Sequence, residues 1–249
     1  MGRAKLFHLP GFAWHITHRC HNREFLIKFA RDKRRWLYWL FQARKRYKLS
    51  ILGYCLTSNH IHLLASEQKN RQAIPRSMLL AASCTARQYN RRKQRSGAFW
   101  EDHYHATAVE TGDHFRKCLV YIELNMVRAG VVEHPIDWEF CSFHEVMGAR
   151  QKRRLIDLQR LSELFQISDP EKLRTDYRHW IDEAISSGNM KREGIWTESI
   201  AVGKKEFVDD IKSKLGLRAI YSQVSEVDKG FVLKDLRNIY HQFASKNGL

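Results

Sequence analysis

Acidic residues are scarce in the first part of this 249-residue chain. Residues 1–95 contain three carboxylates, Glu24, Asp32 and Glu67, against 21 Lys and Arg, whereas residues 96–249 contain 24 acidic and 22 basic residues. The first segment therefore has a formal net charge of +18 and the remainder −2. Charge that served only solubility would be spread along the chain, so this asymmetry predicts one basic face that binds a polyanion.

Long apolar runs and closely paired cysteines are also absent. No apolar run approaches the roughly 18–20 residues needed to span a bilayer, and the basic N-terminus is not followed by the apolar core of a signal peptide. The five cysteines form no C-x-x-C pair, which argues against a disulfide framework and against a cysteine zinc site. With 43% apolar and 28% charged residues, global disorder is excluded. We expect a cytoplasmic protein that contacts no membrane.

Apolar periodicity divides the chain into strands and helices, with no internal repeat and only four prolines. Strict alternation predicts a strand, and apolar residues three or four positions apart predict a helix. The predicted order is strand, helix, strand, strand, helix, strand, helix, with the elements at 12–19, from Asp32 onward, 49–57, 60–65, 72–92, 98–110 and 113–128.

The first six of these elements match the ferredoxin-like split arrangement. We therefore predict an α+β fold in which residues 1–150 form a ferredoxin-like antiparallel sheet with helices on one face. Residues 151–249 form a C-terminal helical extension, because apolar residues fall on one helical face near 173–185 and 207–215. An all-helical fold is the alternative, but it would have to discard the alternation at 12–19 and 49–65.

Two short motifs contain the candidate chemistry. His60 and His62 lie two apart in a predicted strand, so both imidazoles point to the same face and suit one divalent ion. The alternative is a coincidence in a chain with 13 histidines. Tyr121 and Asn125 lie one helical turn apart, which places a phenol nucleophile beside an amide oxygen. The alternative is a buried tyrosine whose hydroxyl simply bonds the amide.

The two motifs are more informative together. An ion bound by two imidazoles and an amide oxygen keeps positions open for phosphate oxygens, and Mg²⁺ and Mn²⁺ both accept such ligands. A phenol with an ordinary pKa of about 10 is a weak nucleophile at neutral pH without a cation or a base. Beside the basic segment, this combination favours metal-assisted nicking of nucleic acid.

The chain resembles the REP-associated tyrosine transposases, which belong to the single-tyrosine branch of the HUH endonucleases. The resemblance rests mainly on Tyr-Cys-Leu-Thr-Ser-Asn-His-Ile-His-Leu-Leu at 54–64 and Tyr-Ile-Glu-Leu-Asn-Met-Val-Arg-Ala-Gly at 121–130. Residues 17–24 and 99–104 are similar to two further segments of the family. In all, the resemblance covers roughly residues 12–148.

This resemblance implies a metal-dependent enzyme that cleaves single-stranded DNA, often beside a hairpin, through a 5′-phosphotyrosine intermediate. Tyr121 maps onto the nucleophile, His60 and His62 onto the metal pair, and Asn125 onto the third ligand. No second tyrosine stands three or four residues from Tyr121, so nucleases with paired tyrosines fit less well. The implied partner is single-stranded or hairpin DNA, bound by a monomer or homodimer in a nucleoid-associated location.

Polar residues in two places are predicted to bind that DNA. Arg19, Asn22 and Arg23 follow the first strand and would hold phosphates or read bases, the alternative being a solvated turn. A basic run after the second helix would track backbone phosphates: Arg91, Arg92, Lys93 and Arg95. Two other functions compete with a transposase. One is a domesticated hairpin-DNA-binding protein with little or no cleavage activity, and the other is an RNA-binding protein with a coincidental histidine pair.

Overall fold

The computed structural model describes residues 9–67, 72–149, 153–188 and 191–237. Its strands are β1 (Ala13–Arg19), β2 (Ser50–Leu56), β3 (His60–Ser66), β4 (His105–Val109), β5 (Ala201–Gly203), β6 (Ser222–Val227) and β7 (Gly230–Asp235). Its helices are α1 (Ala30–Tyr47), α2 (Ala73–Lys93), α3 (Asp113–Glu123), α4 (Asn125–Arg128), α5 (Phe143–Val146), α6 (Leu158–Phe165), α7 (Pro170–Ser186), α8 (Ile195–Glu198) and α9 (Lys205–Leu215).

These strands form one sheet in the order β2-β3-β1-β4-β5-β7-β6. The first four strands are antiparallel, with β1 between β3 and β4 and β2 on the outer side of β3. This strand order, with α1 and α2 as the connections, is that of the ferredoxin-like arrangement. The predicted α+β fold is therefore confirmed.

Helices cover both faces of this sheet, whereas the sequence predicted helices on one face. On one face, the ring of Trp100 stacks on His18 of β1 while its Nε1 donates to the main-chain oxygen of Ala82 in α2. On the other face, α3 lies so close to β2 that a Cβ at Gly53 would be 2.5 Å from Leu119 Cδ1. The alternation of β1 suggested one open face, but His15 and Thr107 on that face are also fully buried.

The chain beyond residue 150 was predicted to be helical, and it contributes strands as well as helices. β5 pairs in parallel with β4, and β7 and β6 continue the sheet in antiparallel fashion. β5 has three residues and β6 is partly exposed, so neither produces the long alternation by which a strand is predicted from sequence. The boundary near residue 150 stays a prediction.

The third predicted helix, 113–128, is interrupted in the structure. α3 ends at Glu123 and α4 begins at Asn125, with Leu124 between them at φ −78° and ψ 8°. The main-chain nitrogen of Leu124 still bonds the oxygen of Val120, and that of Arg128 bonds the oxygen of Leu124, so helical hydrogen bonds continue across the interruption. This interruption falls between the two functional residues predicted on that helix.

The described part of the chain contains neither a membrane-spanning helix nor a disulfide. Across the described ranges, no helix is both long enough and apolar enough to cross a membrane. All five cysteines lie in those ranges as free thiols, and all except Cys84 are buried. Burial raises the pKa of Cys20 to about 12, so this thiol is protonated at neutral pH and packs as a small apolar side chain.

Candidate active site

The register of β1, β3 and β4 brings polar side chains to one end of one sheet face. Arg19 lies opposite His60, and Thr17 lies between His62 and His105 on the neighbouring strands. Directly paired residues of adjacent strands point to the same face, so all five side chains project together. With α3 and α4 they line a cleft of about 860 Å³. The predicted residues His60, His62, Tyr121 and Asn125 all line this cleft.

His60 is held in one orientation by the turn that precedes β3. Its Nδ1 lies 2.7 Å from Asn59 Oδ1 and 2.9 Å from Thr57 Oγ1. Because an amide oxygen only accepts, His60 Nδ1 donates its hydrogen and Nε2 keeps its lone pair. Asn125 lies beside the same imidazole, and burial lowers the pKa of His60 to about 4. At neutral pH His60 is therefore an uncharged ring that is able to bind a metal.

His62 is almost fully buried beside His60, with their ring centroids 4.9 Å apart. Its Nδ1 lies 2.9 Å from Nε2 of His15, a residue that the sequence did not single out. Burial lowers the pKa of His62 well below its usual value and lowers that of His15 to about 3. His62 Nε2 is buried and has no hydrogen-bond partner in the described structure. An unpartnered imidazole nitrogen in a polar cleft is a potential metal ligand.

Tyr121 is packed between these imidazoles and Arg128. Its ring centroid lies 6.0 Å from that of His62. The Arg128 guanidinium carbon lies 4.1 Å from the Tyr121 ring centroid, and Nη2 of the same group donates to the Tyr121 main-chain oxygen at 3.0 Å. Burial raises the pKa of Tyr121, while the positive charges of Arg128 and Arg192 lower it. The phenol is therefore protonated at neutral pH, and the surrounding cations favour its ionised form.

The cleft presents two imidazoles and an amide to a cation. No group of three or more His, Cys, Asp or Glu side chains is arranged to bind a metal in the described ranges. The third predicted ligand, Asn125, lines the cleft beside His60. Its Nδ2 is buried and without a partner among the described residues. The residues present thus fit a divalent ion with nitrogen and oxygen ligands.

The predicted DNA-binding residues at the end of β1 are divided between the cleft and the adjoining surface. Arg19 lines the cleft, where its Nη1 lies 3.5 Å from Glu101 Oε2. Asn22 and Arg23 form an exposed turn at φ 50° and 58°, the left-handed region that residues other than glycine rarely adopt. Asn59, next to His60, donates to the main-chain oxygen of Arg23 at 3.0 Å. This unusual turn is therefore fixed directly to the start of β3.

The predicted basic run lies outside the cleft, at the C-terminal end of α2. Arg91 and Lys93 are exposed to solvent. Arg92 instead forms an ion pair with the buried Asp32 of α1, and Arg95 donates to the main-chain oxygen of Ala98 at 2.8 Å. The structure therefore places Arg91 and Lys93 in the exposed positions that DNA contact requires, while Arg92 and Arg95 support the local fold.

Three site residues escaped the sequence analysis: His15, Arg128 and Arg192. His15 appeared only as a strand residue, and its partner, the main-chain oxygen of Trp196, is 181 positions away. Arg128 lies within the motif at 121–130, seven residues after Tyr121, where helical spacing alone would have indicated a shared face. Arg192 belongs to the C-terminal extension, and the chain gives no local signal that it lines this cleft.

Comparison with known proteins gives consistent similarities. Residues 9–125 match a protein family described as "Transposase IS200 like". A putative REP-associated tyrosine transposase from Haemophilus influenzae is 29% identical over 117 residues, which cover 43% of this chain and 66% of the relative. The chain thus spans just under two thirds of that relative's length.

Two solved structures are also similar. A REP-associated tyrosine transposase bound to a REP hairpin has a TM-score of 0.49 and 17% identity, covering 64% of this chain and 93% of the other. A putative transposase from Deinococcus radiodurans has a TM-score of 0.33 and 15% identity, covering 47% and 89% of the two chains.

Proposed function

We propose that this protein is a metal-dependent, single-tyrosine DNA transposase or nickase, because residues 9–125 match the family described as "Transposase IS200 like". The observation that supports this most directly is the meeting of His60, His62, Tyr121 and Asn125 in one cleft. Two of these residues come from β3 and two from the region of α3 and α4, more than 55 positions later in the chain. A coincidental histidine pair would not be expected to lie in the same cleft as this tyrosine and this amide.

The metal site in this proposal consists of His60 Nε2, His62 Nε2 and the Asn125 side chain. Mg²⁺ and Mn²⁺ both accept nitrogen and oxygen ligands, and Mn²⁺ tolerates imidazole better. When bound, such an ion polarises a phosphodiester and stabilises the negative charge of its transition state. Three protein ligands would leave further coordination positions of such an ion open to phosphate oxygens.

Tyr121 performs the nucleophilic step of the proposed reaction. Its Oη attacks the scissile phosphorus, the new Oη–P bond forms, and the bond from phosphorus to the 3′ oxygen breaks. The phenol proton is released and the 3′ oxygen takes up a proton, so the step balances and yields a 5′-phosphotyrosine and a free 3′-OH. Arg128, in contact with the ring, favours the ionised phenol, and burial of Tyr121 limits competition from water.

Single-stranded DNA beside a hairpin is the substrate that we propose. Residues 1–95, with their net charge of +18, include β1, β3 and the basic end of α2. A relative that is 29% identical is described as REP-associated, which makes a REP-type hairpin the first substrate to test. The exposed turn of Asn22 and Arg23 lies at the same end of the sheet as His60 and would contact the strand that enters the cleft.

The decisive experiment is to trap the covalent intermediate. Wild-type protein is incubated with labelled hairpin DNA carrying a single-stranded arm and Mn²⁺ or Mg²⁺, and denaturing gels are searched for a protein–DNA adduct. We expect an adduct with wild type, none with Tyr121→Phe, and an unchanged yield with Tyr47→Phe. Binding without any adduct in wild type would contradict the transposase and support the hairpin-binding alternative. An adduct that persists in Tyr121→Phe would assign the nucleophile elsewhere.

A further inference from the structure

His15 connects the candidate metal site to the C-terminal extension. It lies at the centre of β1, fully buried, with its ring stacked on that of His62 at a centroid distance of 5.1 Å. Its Nδ1 lies 2.8 Å from the main-chain oxygen of Trp196 in α8, and its Nε2 lies 2.9 Å from His62 Nδ1. Both ring nitrogens are thus engaged, so His15 has no lone pair to offer a metal.

The positions of the hydrogens along this chain follow from the chemistry of its ends. A main-chain oxygen only accepts, so His15 Nδ1 must carry a hydrogen. His15 is fully buried between a carbonyl and a second imidazole, without a carboxylate in either contact, and a charged ring there would be costly. A neutral His15 therefore has a bare Nε2, which must accept from His62 Nδ1. His62 in turn keeps its lone pair on Nε2, the buried nitrogen without a partner.

We propose that His15 is a positioning residue that locks His62 in the tautomer able to bind the metal through Nε2. Metal-binding histidines usually donate their second nitrogen to a carboxylate, a carbonyl or water, which orients the ring. Here the neutral His15 is the acceptor for His62, and His15 is itself oriented by its hydrogen bond to the main-chain oxygen of Trp196. This inference rests on the proposed function, because it concerns the same metal site.

The link to Trp196 makes the extension part of the metal site. Trp196 is fully buried, and its Nε1 donates to Glu193 Oε2 at 2.9 Å, so its main chain is held at a defined position. The other proposed ligand, His60, is oriented in the same way, because its Nδ1 donates to the side-chain oxygen of the adjacent Asn59. His60 is thus oriented by its own turn, whereas His62 is oriented through His15 by Trp196, which follows the family-matched residues 9–125.

The test measures tautomers and metal affinity, and needs no cleavage. Long-range ¹H–¹⁵N NMR of metal-free protein should show His62 protonated on Nδ1 and bare on Nε2. Calorimetry with Mn²⁺ should show affinity reduced about 10- to 100-fold in His15→Phe. His15→Gln should stay within about threefold of wild type, because its amide oxygen accepts from His62 while its NH₂ donates to the carbonyl.

His114→Phe is the matched control. His114 is also a largely buried imidazole bonded to a main-chain oxygen of the extension, that of Lys229 at 2.9 Å, but it lies outside the cleft. The Mn²⁺ affinity of the His114→Phe variant should equal that of wild type.

Wild-type His62 protonated on Nε2, or a folded His15→Phe that binds Mn²⁺ like wild type, would overturn the inference. If His15→Phe does not fold, the wild-type tautomer and His15→Gln still decide. A wild type with no Mn²⁺ affinity contradicts the proposed metal dependence instead, and the tautomer measurement alone then decides the role of His15.

Discussion

Arg128 contacts Tyr121 in two different ways, and these contacts have different consequences. The hydrogen bond to the Tyr121 main-chain oxygen stabilises the junction between α3 and α4, where Leu124 departs from helical geometry. The guanidinium over the ring places a positive charge beside the phenol, which the proposed reaction requires to ionise. A planar, always charged group is able to make both contacts at once, whereas a lysine ammonium has no plane to stack.

We therefore expect Arg128→Lys to slow formation of the Tyr121–DNA adduct by at least about tenfold while DNA affinity changes by less than about threefold. Arg128→Gln should also move the rate–pH profile to higher pH, because loss of the cation raises the pKa of Tyr121. Single-turnover assays across pH measure both effects. Arg192→Lys, which lines the cleft without stacking on Tyr121, should change the rate by less than threefold. Identical pH profiles for wild type and Arg128→Gln would exclude this role.

At the level of secondary-structure elements, α3 is anchored through a buried carboxylate two residues after Tyr121. Glu123 Oε1 accepts from the hydroxyl of Tyr177 in α7 at 2.6 Å and from that of Ser142, which precedes α5. The Ser142 hydroxyl also accepts from the main-chain nitrogen of Tyr54 in β2 at 2.9 Å. Burial raises the pKa of Glu123 to about 7. The position of Tyr121 thus depends on contacts from three other elements.

Removing one donor from this carboxylate should destabilise the fold. Tyr177→Phe leaves Glu123 buried with one hydrogen bond fewer, and we expect the free energy of unfolding to fall by roughly 1–3 kcal/mol. Urea unfolding at pH 8, where Glu123 is ionised, measures the change. Tyr221→Phe removes a hydroxyl from a ring that is 55% exposed and should alter stability by less than about 0.5 kcal/mol. Equal stabilities of the two variants would show that the Tyr177 bond contributes nothing.

The elements also show what the sequence was able to predict. Strong alternation in β1 and the apolar runs of β2 and β3 predicted the ferredoxin-like order. The spacing within each motif predicted which of its residues share a face, and the family resemblance predicted that the two motifs form one site. β5, with three residues, pairs with β4 only after more than 90 intervening positions, so no local pattern indicated it. A separation of 181 positions likewise hid the bond from His15 to Trp196. Contacts within one element were predictable, whereas contacts set by the tertiary pairing of distant segments were not.

For the whole molecule, the uneven charge places the proposed DNA-binding surface in residues 1–95. The basic residues 1–95 include the histidine pair and α2, while the nearly neutral remainder provides Tyr121 and covers the cleft with Arg192 and Lys234. Phosphate contacts made by the basic segment release counterions, which makes affinity fall with salt. The charge distribution therefore predicts which surface determines the salt dependence.

Hairpin-DNA affinity should fall by more than about tenfold between 50 and 200 mM salt if four or more phosphates are contacted. The double variant Arg91→Gln, Lys93→Gln should lower the slope of log affinity against log salt by about one to two. The control double variant Lys205→Gln, Lys212→Gln carries the same charge change on exposed positions of α9 and should keep the wild-type slope. Fluorescence anisotropy titrations measure these slopes. Equal slopes for both double variants would show that the end of α2 is not a DNA surface.

Buried neutral imidazoles give the molecule a second whole-chain property, sensitivity to acid. Burial is the main cause that lowers the pKa of His15 to about 3 and of His18 to about 4, and that also lowers the pKa of His105. The unfolded chain binds these protons near pH 6.5, whereas the folded chain resists them until a lower pH. Between those values the unfolded state binds more protons, so the stability present above pH 6.5 is lost as the pH falls.

His18 provides the clearest test because it contacts neither Tyr121 nor the histidine pair. Its ring stacks on Trp100 with centroids 4.2 Å apart, and its Nε2 lies 2.9 Å from the main-chain oxygen of Asp102. At pH 5 its lowered pKa should cost about 2 kcal/mol of stability relative to pH 7.5. Urea unfolding at both pH values measures how far the free energy of unfolding falls between pH 7.5 and pH 5. In His18→Phe this fall should be about 2 kcal/mol smaller than in wild type, whatever the absolute stability of the variant. His179→Asn, on the exposed side of α7, should lose as much stability as wild type. An equal loss in His18→Phe would mean that His18 is already charged in the folded protein at pH 5.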